Sequence, residues 1–390
     1  MGAGLSKTVK IGGFKHIKAV FLGGDSPVAV QTMWKDRLSM AEVEGGAAGH
    51  PHIIERIDSL GKLGCSILRF SVPDMEAAEA LGRLAEAVSM PLVADIHFDH
   101  KIALRCLDFP IAKLRINPGN IGGREKVRQV LEKAAGKDVP IRIGVNGGSL
   151  PLDLRRQAEA GLDLAQAMFL AAKREIAFFE EFGFASFLVS IKASGIADTV
   201  KANRIFSQNC DAPLHLGLTE AGPLVSGTAR SAAALAPLLA EGIGDTVRVS
   251  LSDSMENELI AGREILGAAA ELAGEAGAFA RQRLATGCVK IISCPRCGRC
   301  GFDTHGFTSR WLSRLYALQA EFTVAIMGCE VNGPQEAKHA DLGITGAGNK
   351  VLIFRQGKVA RTVSAAGADM AFEEEIGKLL AGRSILGGEE

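Results

Sequence analysis

The stretch Ala112-Lys-Leu-Arg-Ile-Asn-Pro-Gly-Asn-Ile-Gly-Gly123 decides the fold, because it joins a strand-like run to a helix through a glycine-rich turn. Its first six residues form a short run of the kind that buried parallel strands have. The amphipathic segment Arg124–Ala135 follows directly. This order of strand, turn and helix predicts one βα unit.

The same unit recurs along the chain between Pro27 and Leu272. Eight strand-like runs are predicted: Val28–Met33, Ser66–Val72, Leu92–His97, Ala112–Asn117, Ile141–Asn146, Ala185–Lys192, Leu214–Thr219 and Thr246–Leu251. Helix-like segments lie between them, among them Pro51–Leu63, Met75–Val88, Arg124–Ala135, Leu152–Phe182 and Gly222–Ala240. Eight βα units in about 245 residues have the count and length of a TIM (β/α)₈ barrel. A doubly wound open sheet is the competing arrangement.

A second, smaller domain is predicted after the barrel. The predicted boundaries are 1–272 for the barrel, 273–286 for a linker rich in Gly and Ala, and 287–390 for an α+β domain. Its predicted elements are the strands Val289–Ile292, Thr323–Met327, Ala340–Ile344, Lys350–Arg355 and Lys358–Thr362 and the helices Ser309–Glu321 and Asp369–Leu380. Gln356-Gly357 is predicted to form a hairpin turn.

The composition argues against several classes of function. The chain has 390 residues, 47% of them apolar, and a formal net charge of zero. Proteins that bind nucleic acid or membrane surfaces through bulk charge usually carry a basic excess, so we expect neither kind of partner. Met1–Lys10 lacks the apolar run of a signal peptide, and no stretch approaches the ~18–20 apolar residues of a membrane span. A soluble, cytoplasmic protein is expected.

Polar side chains concentrate at the C-terminal ends of the predicted barrel strands, where TIM-barrel enzymes have their active sites. Five of them are cations: Arg69, Arg115, Arg142, Lys192 and Arg248. Carboxylate, imidazole, amide and hydroxyl groups accompany them: Asp95, His97, Asn146, Ser149, Ser194, Glu220, Ser250 and Asp253.

These cations predict an anionic ligand. A guanidinium in an apolar strand requires an anionic partner, and its planar fork suits phosphate oxygens, so a phosphate or diphosphate is expected. An internal salt bridge with Asp95, Glu220 or Asp253 is the alternative for any single arginine. Ser149, close to Pro151, is equally suited to cap a helix.

Cysteines near the C-terminus predict a metal centre. Cys294 and Cys297 have C-x-x-C spacing, and Cys329 and Glu336 follow in Gly328-Cys-Glu-Val-Asn-Gly-Pro-Gln-Glu. Thiolates suit iron–sulfur clusters or zinc. The spacing favours a redox cluster on these three cysteines with Glu336 as a displaceable fourth ligand. Zinc remains the alternative, and the following residues keep other ligand sets open: Cys300, His305 and His339. The isolated cysteines are interpreted as structural thiols: Cys65, Cys106, Cys210 and Cys288.

In ordered combination, these stretches closely resemble the bacterial two-domain 4-hydroxy-3-methylbut-2-en-1-yl diphosphate synthase family of the non-mevalonate isoprenoid pathway. The resemblance runs from about Thr8 to Arg361. Its motifs include Val28-Ala-Val-Gln-Thr-Met, Ala94-Asp-Ile-His-Phe-Asp, Lys113-Leu-Arg-Ile-Asn-Pro-Gly-Asn, Arg142-Ile-Gly-Val-Asn-Gly-Gly-Ser-Leu, Ser190-Ile-Lys-Ala-Ser, His215-Leu-Gly-Leu-Thr-Glu-Ala-Gly, Ser293-Cys-Pro-Arg-Cys-Gly-Arg and Met327-Gly-Cys-Glu-Val-Asn-Gly-Pro-Gln-Glu-Ala.

The resemblance implies an iron–sulfur oxidoreductase. It implies ring opening and reductive dehydroxylation of 2-C-methyl-D-erythritol 2,4-cyclodiphosphate to the allylic diphosphate. The two electrons come from flavodoxin or ferredoxin through a [4Fe–4S] cluster, in a homodimer. The cluster ligands correspond to Cys294, Cys297, Cys329 and Glu336. The rim cations are expected to hold the diphosphate, with Glu220 as the candidate proton donor or hydroxyl-orienting group, aided by Asp95 and His97.

This chain departs from the family pattern in one corner of the pocket. Trp34-Lys35-Asp36 replaces the small polar residues that are usual after the first barrel strand. Cys300 is also additional.

Overall fold

The computed structural model describes residues 5–43, 51–274, 277–284, 287–329, 333 and 337–386. The chain divides into two compact units, Met1–Ala285 and Thr286–Glu390. Part of the segment predicted to be a linker is helical and belongs to the first unit. This helix, Ala278–Leu284, buries Arg283, whose Nη2 lies 2.6 Å from Asp245 Oδ1.

The first unit begins with an antiparallel hairpin of β1 (Val9–Ile11) and β2 (Val20–Leu22). Val9, Ile11 and Leu22 pack against residues at the N-terminal ends of the barrel strands, such as Ile67 and Val93. The hairpin therefore seals the end of the barrel opposite the predicted active-site rim. The hairpin was not predicted from the sequence, because three-residue strands are too short to show a period.

The predicted TIM barrel is confirmed. Its eight strands are β3 (Ala29–Met33), β4 (Ile67–Ser71), β5 (Leu92–Asp95), β6 (Lys113–Ile116), β7 (Ile141–Asn146), β8 (Phe187–Lys192), β9 (His215–Leu216) and β10 (Thr246–Val247). They form a parallel sheet in the order β8-β7-β6-β5-β4-β3-β10-β9. A parallel bridge between Val189 and Leu214 joins the two edges of this sheet, so the open-sheet alternative is wrong.

Helices surround these strands. In the described part of the first unit they are α1 (Met40–Val43), α2 (Pro51–Lys62), α3 (Met75–Ala87), α4 (His100–Cys106), α5 (Pro118–Ile121), α6 (Arg124–Gly136), α7 (Leu152–Glu159), α8 (Leu164–Glu181), α9 (Ile196–Asn209), α10 (Leu224–Ala240), α11 (Met255–Ala273) and α12 (Ala278–Leu284). None of the helices in the described ranges is long and apolar enough to cross a membrane.

The single long helix predicted over 152–182 is wrong, because α7 and α8 are separate. Gly161 between them has φ +111°, a left-handed conformation that ends a helix readily. Asp163 then caps α8 by accepting a hydrogen bond from the backbone N–H of Gln166 at 3.2 Å.

The second unit is a mixed five-stranded sheet with helices, as predicted. Its elements are β11 (Lys290–Ser293), α13 (Thr304–Tyr316), β12 (Thr323–Met327), β13 (Leu342–Ala347), β14 (Lys350–Arg355), β15 (Lys358–Ser364) and α14 (Ala368–Leu386). Strands β11, β12 and β13 are parallel, and β13, β14 and β15 are antiparallel. Phe307, Trp311 and Phe372 from the helices pack on Val324 and Ile344 of the sheet to form the core.

Candidate functional site

The C-terminal half of the barrel interior is rich in buried charge. Because alternate residues of a strand face inward, polar residues two apart on one strand share the interior. Two carboxylates, Asp95 and Glu258, are buried there. Six cations accompany them, all buried or nearly so: Arg69, Lys113, Arg115, Arg142, Lys192 and Arg248.

Asp95 forms ion pairs with two of these cations. Its two oxygens lie 2.6 Å from Arg69 Nη2 and 3.1 Å from Arg115 Nη1, since β4, β5 and β6 are neighbours in the sheet. Burial alone would raise the pKa of Asp95, but Arg69, His97 and Arg115 together hold it far below its ordinary value. Asp95 is therefore a permanent anion at neutral pH that fixes two arginines, and it cannot donate a proton.

His97 lies at the edge of this ion-pair group. Its Nε2 is 2.7 Å from Arg115 Nη1. The same Nε2 lies 3.4 Å from Asp95 Oδ2, so the imidazole lies between the guanidinium and the carboxylate. The ring is partly exposed and can reach a ligand at the rim.

Glu258 forms ion pairs with two further cations and was not predicted from the sequence. Its carboxylate accepts hydrogen bonds from Thr32 Oγ1 at 2.6 Å, Lys35 Nζ at 2.5 Å, Arg248 Nη2 at 3.2 Å and the backbone N–H of Leu251 at 3.1 Å. Burial alone would raise the pKa of Glu258, but Arg248, Lys35 and Thr32 lower it overall. The carboxylate is therefore charged.

The reason for this omission is that Glu258 lies on α11 and not at a strand end. The available signal was its position on a helix face shared with Met255, Leu259 and Gly262, all of which are buried. A carboxylate on such a face needs a buried partner.

The remaining interior cations have no carboxylate partner among the described residues. Arg142 is 3% exposed, and its Nε and Nη1 have no hydrogen-bond partner. Burial, then Arg69 and Arg115, lowers its pKa well below the ordinary value. For Lys192, burial and then Arg142 and Arg248 lower the pKa in the same way. Lys113 was missed because it lies deep in the barrel, where its Nζ donates to Gln31 Oε1 at 3.1 Å.

This imbalance marks an anion site. Two carboxylates cannot neutralise the four interior arginines, and burying an unpaired charge is costly unless a ligand pairs with it. An anion that enters the barrel mouth gains the unused donors of Arg142 and favours the protonated form of Lys192. The arrangement fits a multiply charged phosphate ester better than a neutral ligand.

The other predicted rim residues lie on the loops that follow the strands. Asn146 ends β7, and Ser149 lies in the short turn after it. The residue at the N-cap of α7 is Pro151, so the helix-cap alternative for Ser149 is wrong. Ser194 follows β8, and its carbonyl oxygen accepts a hydrogen bond from Arg230 Nη2 at 2.8 Å.

Glu220 and Ser250 follow the last two strands. Glu220 is exposed and has φ +52°, a conformation rare for residues with a side chain and common at functional sites. Ser250 is half-buried, two residues beyond Arg248. The structure thus places both on the rim side of the strands that carry the cations.

Three predicted cluster ligands lie in one group of loops of the second unit. Cys294 and Cys329 follow β11 and β12, which are parallel neighbours with Ser293 opposite Ile326. A backbone hydrogen bond of 2.9 Å from Gly301 to Gly328 ties the two loops together. No group of three or more His, Cys, Asp or Glu side chains is assembled into a metal site in the described part of the chain. Glu336 lies outside the described residues.

Cys300 is engaged in the local structure. Its Sγ donates a hydrogen bond to the carbonyl of Phe302 at 2.8 Å. It also packs closely on Gly328, where a Cβ would lie 2.6 Å from Sγ. These contacts favour a structural thiol over a cluster ligand. Burial likewise raises the pKa of Cys65 and of Cys106 to about 12, as expected of inert thiols.

Family models match both units of the chain. The GcpE TIM-barrel domain family matches residues 12–263, and the GcpE protein C-terminal domain family matches residues 290–378. A relative from Treponema pallidum (strain Nichols), named 4-hydroxy-3-methylbut-2-en-1-yl diphosphate synthase (flavodoxin), is 47% identical and covers 96% of this chain and 92% of its own length. A relative of the same name from Geobacter sulfurreducens is 43% identical, with coverages of 92% and 95%.

Among solved structures, dihydropteroate synthase from Thermus thermophilus superposes with a TM-score of 0.47 at 17% sequence identity. The superposition covers 67% of this chain and 97% of the dihydropteroate synthase chain. The family matches extend over most of both units, and the relatives are aligned over nearly their whole length. The chain therefore belongs to the GcpE family, together with relatives named 4-hydroxy-3-methylbut-2-en-1-yl diphosphate synthase (flavodoxin).

Proposed function

We propose that the protein is a 4-hydroxy-3-methylbut-2-en-1-yl diphosphate synthase of the isoprenoid pathway. It opens the ring of 2-C-methyl-D-erythritol 2,4-cyclodiphosphate, takes up two electrons and releases water to form the allylic diphosphate. Family membership supports this reaction, as do the names of the relatives, which also support flavodoxin as the electron donor. The structural observation that carries the proposal is the buried guanidinium of Arg142, which has two nitrogens without a hydrogen-bond partner among the described residues.

The barrel residues bind and orient the diphosphate. Arg142 and Lys192 pair with its oxygens, and Arg69 and Arg115 are held in place by Asp95. The amide and hydroxyl groups of the rim complete the proposed binding set: Asn146, Ser149, Ser194 and Ser250. A ligand held in this way places its sugar carbons at the rim, and such positioning is a large part of what the protein must supply.

Glu220 is the proposed proton donor to the leaving hydroxyl. It is an exposed carboxyl group at the rim, whereas Asp95 is locked as an anion. His97, bonded to Arg115, orients the hydroxyl or relays the proton.

The second unit is proposed to hold a [4Fe–4S] cluster on Cys294, Cys297, Cys329 and Glu336. The donor set fits, because the soft thiols of these three described cysteines lie in one group of loops and none of them is in a disulfide. Such a cluster would supply electrons and Lewis-acid chemistry when bound by these residues. The protein is also proposed to act as a homodimer, which light scattering on the purified protein tests.

Anaerobic turnover of the cyclic diphosphate with a chemical reductant, with iron and sulfide analysis of the same sample, tests the reaction. Formation of the allylic diphosphate by a brown, iron-containing protein is expected. A colourless, zinc-loaded protein without turnover would overturn the proposal and favour the zinc alternative.

The cysteines provide a prediction with a built-in control. Cys297→Ser is expected to lose most of the iron and acid-labile sulfide, because serine is a poor ligand for a cluster. Cys300→Ser is expected to keep the iron and the sulfide, since the Cys300 thiol is hydrogen-bonded to the carbonyl of Phe302. Iron and sulfide per chain are measured after anaerobic reconstitution of each variant. Loss of iron from Cys300→Ser alone would make Cys300 the ligand in place of Cys297.

A second prediction concerns the uptake of protons when the diphosphate binds. In the ligand-free barrel, burial and neighbouring arginines lower the pKa of Lys113 and of Lys192. A bound diphosphate brings negative charge and raises both pKa values, so binding is expected to take up protons from solution. Calorimetric titrations in two buffers of different ionisation enthalpy measure this uptake. Lys192→Met should reduce it, and proton release on binding would contradict the prediction.

A further inference from the structure

The corner segment Trp34-Lys35-Asp36 is held firmly against the barrel. The Trp34 ring stacks on the Phe70 ring with a centroid separation of 5.4 Å. The backbone N–H of Trp34 donates a hydrogen bond to the carbonyl oxygen of Arg69 at 2.8 Å. The Arg56 guanidinium lies 5.2 Å from the Trp34 ring centroid. The segment is therefore fixed to β4 and α2 directly beside the cation-rich rim.

Lys35 reaches from this corner to the carboxylate that also holds Arg248. Lys35 Nζ lies 2.5 Å from Glu258 Oε1 and donates to Leu251 O at 3.1 Å. Arg248 Nη2 lies 3.2 Å from the same Oε1. The Glu258 side chain is fully buried, and those of Arg248 and Lys35 are 13% and 30% exposed. One buried carboxylate oxygen is thus shared by two cations.

This sharing decides how much of the Arg248 charge is available to a ligand. One carboxylate between two cations leaves a net positive charge, whereas Glu258 alone with Arg248 would leave none. Arg248 Nη1 meets only Met33 Sδ, at 3.5 Å, in the described residues, and a thioether is a weak acceptor. That N–H is therefore free to donate to an anion.

We propose that Lys35 is a positioning residue that shares Glu258 with Arg248 and thereby keeps Arg248 available for the diphosphate. This role rests on the proposed function. It gives a function to the corner segment Trp34-Lys35-Asp36. Lys35 itself acts through Glu258 and does not need to touch the substrate.

The test compares four forms of the holoenzyme: wild type, Lys35→Met, Lys35→Arg and Arg37→Met. Arg37 is the matched control, because it lies two residues away and pairs with Asp74 at 2.7 Å without reaching Glu258. Two quantities are measured, the Kd for inorganic pyrophosphate by calorimetry and the KM and kcat for the cyclic diphosphate.

Lys35→Met is expected to raise Kd and KM by about 3- to 10-fold, a partial loss of one charged hydrogen bond. kcat should stay within about twofold, since binding before and during the reaction is weakened alike. Lys35→Arg should restore both values and Arg37→Met should leave them unchanged. A merely structural role would lower the unfolding midpoint without this split between KM and kcat. If Lys35→Met does not fold, Lys35→Gln replaces it.

Unchanged pyrophosphate affinity in Lys35→Met, or an equal loss in Arg37→Met, would overturn the role of Lys35. Failure of the wild type to bind pyrophosphate would overturn it as well. A wild type that binds pyrophosphate but does not turn over the cyclic diphosphate contradicts the proposed reaction alone. In that case the ratio of pyrophosphate dissociation constants still decides the role of Lys35.

Discussion

Arg142→Met is expected to weaken binding of the cyclic diphosphate by about 10- to 150-fold, which corresponds to the ~1.5–3 kcal/mol of hydrogen bonds to a charged group. The same substitution is expected to make the ligand-free protein more stable. Both effects have one cause. Arg142 is 3% exposed, and two of its nitrogens have no partner among the described residues, so its charge is uncompensated until a ligand arrives.

The direction of the stability change distinguishes an arginine that binds a ligand from an arginine that stabilises the fold. A buried charge without a partner destabilises the folded state, and an apolar residue of similar volume removes that penalty. Methionine is flexible enough to fill the space left by the arginine stem. A residue that destabilises the free protein but binds the ligand is what an anion site requires, because the ligand supplies the missing charge.

Calorimetric titration with the cyclic diphosphate and urea unfolding without ligand measure the two quantities. Arg128→Met is the matched control, since Arg128 lies on the outer helix α6 and pairs with Glu125 at 2.6 Å. It should change neither quantity. If Arg142→Met bound the diphosphate normally and unfolded more easily, Arg142 would be a structural cation and not a ligand.

Asp95→Asn is expected to have the opposite effect on stability, lowering the free energy of unfolding by about 3–5 kcal/mol. Removing this carboxylate leaves Arg69 and Arg115 without their charge partner in a buried site. Asparagine keeps the shape of the side chain, so the loss of stability is caused by the missing charge and not by altered packing. Substrate affinity should fall too, because the two arginines lose the group that orients them.

Urea unfolding at neutral and at acidic pH checks this prediction. Because the folded pKa of Asp95 lies below its ordinary value of 3.8, its stabilising effect is present above that value and is lost as the pH falls below it. The difference between wild type and Asp95→Asn should therefore shrink below about pH 4. Asp153→Asn, at an exposed ion pair with Arg174, should leave the midpoint unchanged. An Asp95→Asn protein as stable as wild type would mean that the ion pairs contribute nothing.

Much of the barrel and the positions of its rim cations were predictable from the sequence. The βα repeat predicts a parallel barrel, and a parallel barrel brings all strand C-termini to one end, so residues such as Arg69, Arg142 and Lys192 had to converge there. These conclusions need only local patterns and the geometry of the sheet.

Short and long-range features were not predictable in the same way. The β1–β2 hairpin is too short to show a period, and the break between α7 and α8 depends on one left-handed glycine, Gly161. Glu258 reaches the rim from α11, 226 residues beyond Thr32. A periodicity cannot indicate a contact between residues so far apart in the chain.

The sequence by itself determined that an excess of positive charge would gather at one end of a barrel, and that soft ligands would lie in a separate α+β unit. Only the tertiary structure decided which charges are paired. Asp95 is shared by Arg69 and Arg115, Glu258 is shared by Lys35 and Arg248, and Arg142 has no partner among the described residues. The physical reason is that an ion pair depends on distances of a few ångströms between side chains from different strands and helices. Those distances are set by packing and not by residue order.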